Sequence, residues 1–248
     1  MLLLDAATER PRAWLVPVGV SLVVTGLVAA GSWLSPGKYG GTAVSFVFVA
    51  ATWALVLREP DAEVRAHGLS LSGVLSSEPL APRRIAGDLS RALLIALAVA
   101  AIVIPPFAIG YPLWWSHMVG RPLSWLGRPV LFPARFGEEI LGQIFTIALP
   151  EEAFYRGYLQ TQLDRALPPR LRVLGATVGP SLLVTSAIFA LGHVATDPNP
   201  ARLAVFFPSL LFGWLRQRTG GVGASVLLHA TSNLASALLA QNFGLTRR

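Results

Sequence analysis

The sequence predicts an all-α fold, a polytopic bundle of about seven membrane-spanning helices around a polar intramembrane cavity. Three observations predict it. Of the 248 residues, 53% are hydrophobic and only 13% are charged, where a soluble domain carries about 25%. Apolar runs recur at lengths that cross a hydrocarbon core of about 30 Å, and the arginines fall mostly in the gaps between them. One run breaks the pattern with Pro150-Glu151-Glu152-Ala153-Phe154-Tyr155-Arg156-Gly157. An ionisable side chain at bilayer depth costs roughly 2.5–3.5 kcal/mol on insertion scales, so such residues usually face a cavity and do work.

A polar start holds Asp5, Glu9, Arg10 and Arg12. The first predicted span is Ala13–Leu34, longer than a signal-peptide core and without a clear cleavage site, so it is read as uncleaved. After a turn at Pro36-Gly37, the second runs over Thr42–Leu57. The polar stretch Arg58–Arg91 holds five arginines. Its piece from His67 to Leu75 is read either as a membrane-surface segment or as a solvated loop. The third span, Ala92–Trp115, contains Pro105-Pro106 and is expected to kink or break there. The loop 116–137 follows, with Arg121, Arg128 and Arg135; Trp114, Trp115 and Trp125 suit the membrane interface. The fourth span, Glu138–Leu163, carries the glutamate pair. The fifth is Gly179–Val194, the sixth Ala201–Leu215 and the seventh Val222–Gln241. No second domain is separated by a linker, so residues 1–248 form one integral-membrane unit.

The net charge of +7 comes from 19 arginines and one lysine. These are loop charges without a basic, aromatic-interleaved stripe, so no nucleic-acid partner is expected. Alternate gaps hold 12 and 7 positive charges when Arg156 is set aside. The larger number falls on the N-terminal side, which the positive-inside rule assigns to the cytoplasm. The expected location is a bacterial inner membrane, with the bilayer and a membrane-anchored protein or peptide as partners; the oligomeric state is left open.

The candidate site is assembled from three spans. Glu152 and Arg156 are four residues apart in the carboxylate-first order that favours pairing. Glu151 is turned about 100° away and left for chemistry. Pro150 removes a backbone hydrogen bond, which either loosens the helix and admits water or kinks it for packing. Phe189 and His193 share one helix face, as do His229 and Asn233. His67 and His117 are read as solvated loop residues. A Glu and a His can polarise water, and a second His with an Asn offers donors to an oxyanion. This set suffices for peptide hydrolysis by direct water attack.

Rival chemistries lack their parts. The chain has no cysteine, no His-Glu-x-x-His helix and no aspartate within a predicted span. Its lysine, Lys38, lies in a short loop. Ser225, Ser232 and Ser236 are small residues of the kind that pack helices. Zinc on Glu151, His193 and His229 is a less favoured alternative to a cofactor-free site.

These residues resemble the CAAX-protease and bacteriocin-processing family of glutamate-type intramembrane proteases, which includes the Ras-converting CAAX endopeptidase. The family pattern is Glu-Glu-x-x-x-Arg, Phe-x-x-x-His and His-x-x-x-Asn on separate spans. It is met by Glu151-Glu152…Arg156, Phe189…His193 and His229…Asn233, within a family-like core of about residues 138–241. The resemblance implies that Glu151 activates water with help from His193. His229 and Asn233 would form the oxyanion hole, Glu152 and Arg156 would support the site, and Phe189 would pack against it. The implied function is an endopeptidase acting on a membrane-anchored or apolar C-terminal tail, in one version a protein-sorting signal. The alternative is a non-catalytic scaffold or bacteriocin self-immunity protein of the same fold.

Overall fold

A computed structural model describes residues 12–35, 37–75, 77, 79–119 and 130–243. The readings made for Asp5, Glu9, Arg10, Pro36, Arg121, Trp125 and Arg128 lie outside these residues. Helical segments occupy all seven expected places. They are α1 (Leu15–Leu34), α2 (Gly40–Leu57), α4 (Pro82–Val119), α5 (residues 136–166), α6 (Pro180–Thr196), α7 (Phe206–Thr219) and α8 (Gly223–Asn242). A short helix α3 (Asp61–Ala66) lies in the polar stretch, and a 3₁₀ turn (Pro200–Val205) leads into α7.

Among the described residues, four helices are long and apolar enough to cross a membrane: α1, α2, α8 and the Pro82–Trp114 part of α4. Helix α6 is apolar but shorter, at 17 residues. Helix α7 has 14 residues and ends in Arg216 and Arg218. Of the about seven expected spans, four are therefore clear candidates among the described residues. The other three segments, α5, α6 and α7, are shorter or carry charges. The outer faces suit lipid: Val23 on α1, Phe46 on α2, and Leu94 and Ile102 on α4 are all exposed.

Helix α5 is continuous but not regular. Its α turns at Phe136–Leu141, Leu149–Glu152 and Thr161–Ala166 alternate with π turns at Gly142–Ala148 and Ala153–Gln160. Every junction keeps right-handed helical dihedrals. The π turns flank the glutamate pair, where π-bulges often mark functional sites. Pro150 gives up its N–H, and the carbonyl four residues earlier, on Thr146, accepts from the Ser45 hydroxyl of α2. The proline thus exchanges an intrahelical bond for an interhelical one.

Helix α4 runs unbroken through Pro105, Pro106 and Pro112, so of the expected kink or break the break does not occur. A two-stranded hairpin was also unforeseen: β1 (Leu171–Val173) pairs antiparallel with β2 (Ala176–Val178). Its turn residues, Leu174 at φ 46° and Gly175 at φ 81°, give the left-handed pair that a tight hairpin requires. The fold remains almost wholly helical.

One buried apolar cluster joins Val24 and Val28 of α1, Phe48 and Val56 of α2, Leu159 of α5, Ile188 of α6 and Val226 of α8. The N-terminal helices are thereby packed directly on the glutamate-bearing helix. A second cluster ties Ala96 and Ala100 of α4 to Phe212 and Leu215 of α7 and Leu228 of α8.

His67 contradicts its reading as a solvated loop residue: it is only 2% exposed. Its Nδ1 lies 2.8 Å from the Glu63 carbonyl and its Nε2 3.1 Å from the Gln162 amide of α5. The segment folds back because Gly68, at φ 69°, turns the chain in the left-handed region; the Gly68 carbonyl then accepts from Val222 N at 3.2 Å. Leu69 enters the core against Gly157, where an added Cβ would stand 2.8 Å from the leucine side chain. Arg165 pairs with Glu63 at 2.8 Å, and Arg216 donates to the Ala66 carbonyl at 3.0 Å. The polar stretch is therefore fastened to the end of α5 rather than lying free. His117 is exposed as expected, but on the last turn of α4 rather than in a loop.

Candidate active site

The two adjacent glutamates have different surroundings. Glu152 is fully buried. Its Oε1 lies 3.1 Å from Arg156 Nη1, one helical turn on, and accepts from His229 Nδ1 at 2.9 Å. Arg156 is fully buried too and needs more than one carboxylate to replace its hydration. Its Nη2 donates to the Ser209 carbonyl at 3.0 Å and the Ser209 hydroxyl at 2.6 Å. The guanidinium carbon sits 4.7 Å from the Phe189 ring centroid and 5.4 Å from that of Phe212, so both faces contribute cation–π attraction. The pair thus holds α5, α6, α7 and α8 together.

Glu151 points elsewhere. With His193, it lines a cleft of about 370 Å³ bounded by α1, α2, α5 and α6. Neither Glu152 nor Arg156 borders that cleft. Nε2 of His229 lies 3.9 Å from Glu151 Oε2, so His229 stands between the two carboxylates.

Hydrogen bonds fix both imidazoles. His193 Nδ1 donates to the Phe189 carbonyl at 3.0 Å. In the neutral ring this leaves a lone pair on Nε2, the form that can accept a proton from water. The His229 ring stacks on Phe212, with centroids 4.8 Å apart and planes at 11°. Because a carboxylate only accepts, the Nδ1 proton of His229 is committed to Glu152. For Nε2 also to donate, the ring must carry both protons; Glu152 already faces Arg156, so Glu151, 3.9 Å from Nε2, is the second carboxylate beside that ring.

The sequence placed Asn233 beside His229, and both occur on α8. The Asn233 amide, however, donates to Gln143 Oε1 of α5 at 3.0 Å. Phe189 contributes more than packing, since its carbonyl holds His193 and its ring lies edge-on to Tyr155, with centroids 5.1 Å apart. Tyr155 in turn needs Gly192, where an added Cβ would meet the phenol oxygen at 2.9 Å.

Sequence reasoning missed Ser209, Phe212 and Gln143. Ser209 and Phe212 stand three residues apart on α7 and so share a face, but nothing in the sequence ties that face to Arg156. Among the described residues, no group of three or more His, Asp or Glu side chains is arranged to hold a metal ion.

Residues 135–235 match the family profile described as Rce1-like, type II CAAX prenyl endopeptidase Rce1-like. The match spans α5 to α8 and contains every site residue named above. Comparisons with curated proteins and with solved structures give no match.

Proposed function

We propose, for a chain whose residues 135–235 match the Rce1-like CAAX endopeptidase family, that it is an intramembrane endopeptidase whose water is activated by Glu151. The family match supports a peptidase in a membrane protein. The finer reading rests chiefly on one observation, the sorting of the glutamates: Glu152 is closed off by Arg156 and His229, while Glu151 borders the cleft with His193.

In this reading a water between Glu151 and His193 gives its proton to Glu151 as its oxygen attacks the scissile carbonyl; collapse of the tetrahedral intermediate then breaks the C–N bond, and that proton passes to the leaving amine. His229 Nε2 and the Asn233 amide donate to the oxyanion that forms, the asparagine using the N–H not bonded to Gln143. Glu152 and Arg156 hold His229 in place. The nucleophile is water, no acyl-enzyme forms, and no metal takes part.

The substrate is a membrane-anchored protein or an apolar peptide tail, one candidate being a sorting signal. The arginine distribution supports a cytoplasmic N-terminus in a bacterial inner membrane. The cleft is lined near the α1–α2 turn and the end of α6, which this orientation sets toward the opposite face.

Comparative proteomics of a deletion strain tests the proposal. A membrane protein should keep a C-terminal segment that the parent strain removes, and the wild-type gene but not Glu151→Ala should restore trimming. Restoration by Glu151→Ala would refute the assignment and favour a non-catalytic scaffold.

A further inference from the structure

We propose that Gly41 sets the size of the substrate side chain admitted to the cleft; the inference rests on reading that cleft as the peptide site. Gly41, Val44, Ser45 and Phe48 follow one another at helical spacing along α2, and all four line the cleft. Phe48 lies at the inner end, its ring centroid 5.5 Å from that of Tyr155. Gly41 lies about 10 Å away along the helix, toward the α1–α2 turn. Val44 and Ser45 occupy the turn between them.

The glycine is not required by the backbone or by packing. It lies in the first turn of a regular helix, and an added Cβ there meets no atom within 4 Å. Gly157 under Leu69 and Gly192 under Tyr155 are held small by a neighbour; Gly41 is open, as Gly19, Gly26 and Gly142 are, but unlike those three it lines the cleft. At Gly41 the missing side chain leaves open volume on the wall that leads to Glu151. A substrate extended from Glu151 toward this end passes that volume, and a large apolar side chain fits where Gly41 has none. The other walls carry Ser32 and Thr146, polar residues that suit a peptide backbone, and Thr196, whose hydroxyl is bonded within α6. The occupant is thus an extended peptide with a bulky apolar residue a short distance from the bond cut.

The test uses purified full-length protein and apolar peptides that vary one position at a time through Gly, Ala, Leu and Trp. Gly41→Leu should fold, because the position is open and leucine is the better helix former. At one peptide position, its ratio of kcat/KM for large over small residues should fall about tenfold or more relative to wild type. Val49→Leu, on the exposed side of α2, should leave that ratio unchanged. A wild-type ratio in Gly41→Leu at every position would overturn the proposal.

If wild type cleaves no peptide, the protease reading fails, but the groove is still measurable. The chain has no cysteine, so Gly41→Cys can be alkylated selectively. Peptides carrying Leu or Trp should slow maleimide labelling several-fold more than Gly peptides, and equal rates would refute the assignment.

Discussion

Glu152→Gln should unfold the protein far more readily than Glu151→Gln, although the residues are adjacent and the replacements identical. In Glu152→Gln the buried Arg156 loses the carboxylate charge 3.1 Å away, and the acceptor 2.9 Å from His229 Nδ1 becomes a neutral amide oxygen. Removing one member of a buried pair costs about 3–5 kcal/mol, because the remaining charge stays desolvated. Ser209 and the rings of Phe189 and Phe212 still hold the guanidinium, which places the expected loss near the lower end, at about 3 kcal/mol. At about 2–4 °C per kcal/mol for a chain of this size, the melting temperature should fall by about 6–12 °C. Among the described residues Glu151 has no ion-pair partner that close; the ring nitrogen of His229 is 3.9 Å away. Its replacement should cost about 1 kcal/mol or less. Thermal unfolding in one detergent, followed by tryptophan fluorescence, measures both. A Glu152→Gln protein melting within 2 °C of wild type, or below Glu151→Gln in its effect, would refute this division of roles.

Gly157→Val should destabilise by about 1–3 kcal/mol through overpacking against Leu69, and trimming Leu69 to Ala in the same chain should recover part of it; strict additivity in melting experiments would count against that contact. Burial pushes the His67 imidazole below its ordinary value of 6.5, so the unfolded chain binds the proton more readily. The neutral form's stability is therefore fully present above about pH 6.5 and is lost as pH falls below it. His67→Gln should remove that part of the pH dependence, and superimposable pH–stability curves for the two proteins would contradict the burial argument. With the N-terminus cytoplasmic, a cysteine at Gly41 should react with an impermeant maleimide in intact cells and one at Ser77 only after lysis; the reverse pattern would invert the orientation. Cleavage should persist in excess chelator, and loss that zinc restores would establish a metal-dependent site.

The helices were legible because apolar runs and their charged ends are local signals, and the expected ends mostly lie within a few residues of helix ends, the start of α4 at Pro82 excepted. The Glu152–Arg156 pair was legible for the same reason, since four residues on one helix always meet. Partners supplied by tertiary packing were not. Ser209 and Phe212 look like ordinary residues of an apolar helix until α7 is laid across Arg156. His67 sits in a polar stretch, and only the turn at Gly68 and the anchor at Leu69 show that it is buried. The continuity of α4 through its prolines was equally hidden. A proline costs a helix mainly through a lost bond and a clash, and the neighbourhood that tolerates both is not written in the proline itself.

The central claim is that Glu151 activates the attacking water while Glu152 only supports the site. It is tested most directly by single-turnover cleavage of a processed peptide by purified Glu151→Gln protein whose melting temperature matches wild type. Loss of a general base predicts a rate lower by about 10²–10⁴-fold at unchanged peptide affinity. A Glu151→Gln protein that binds and cleaves at the wild-type rate would contradict the account.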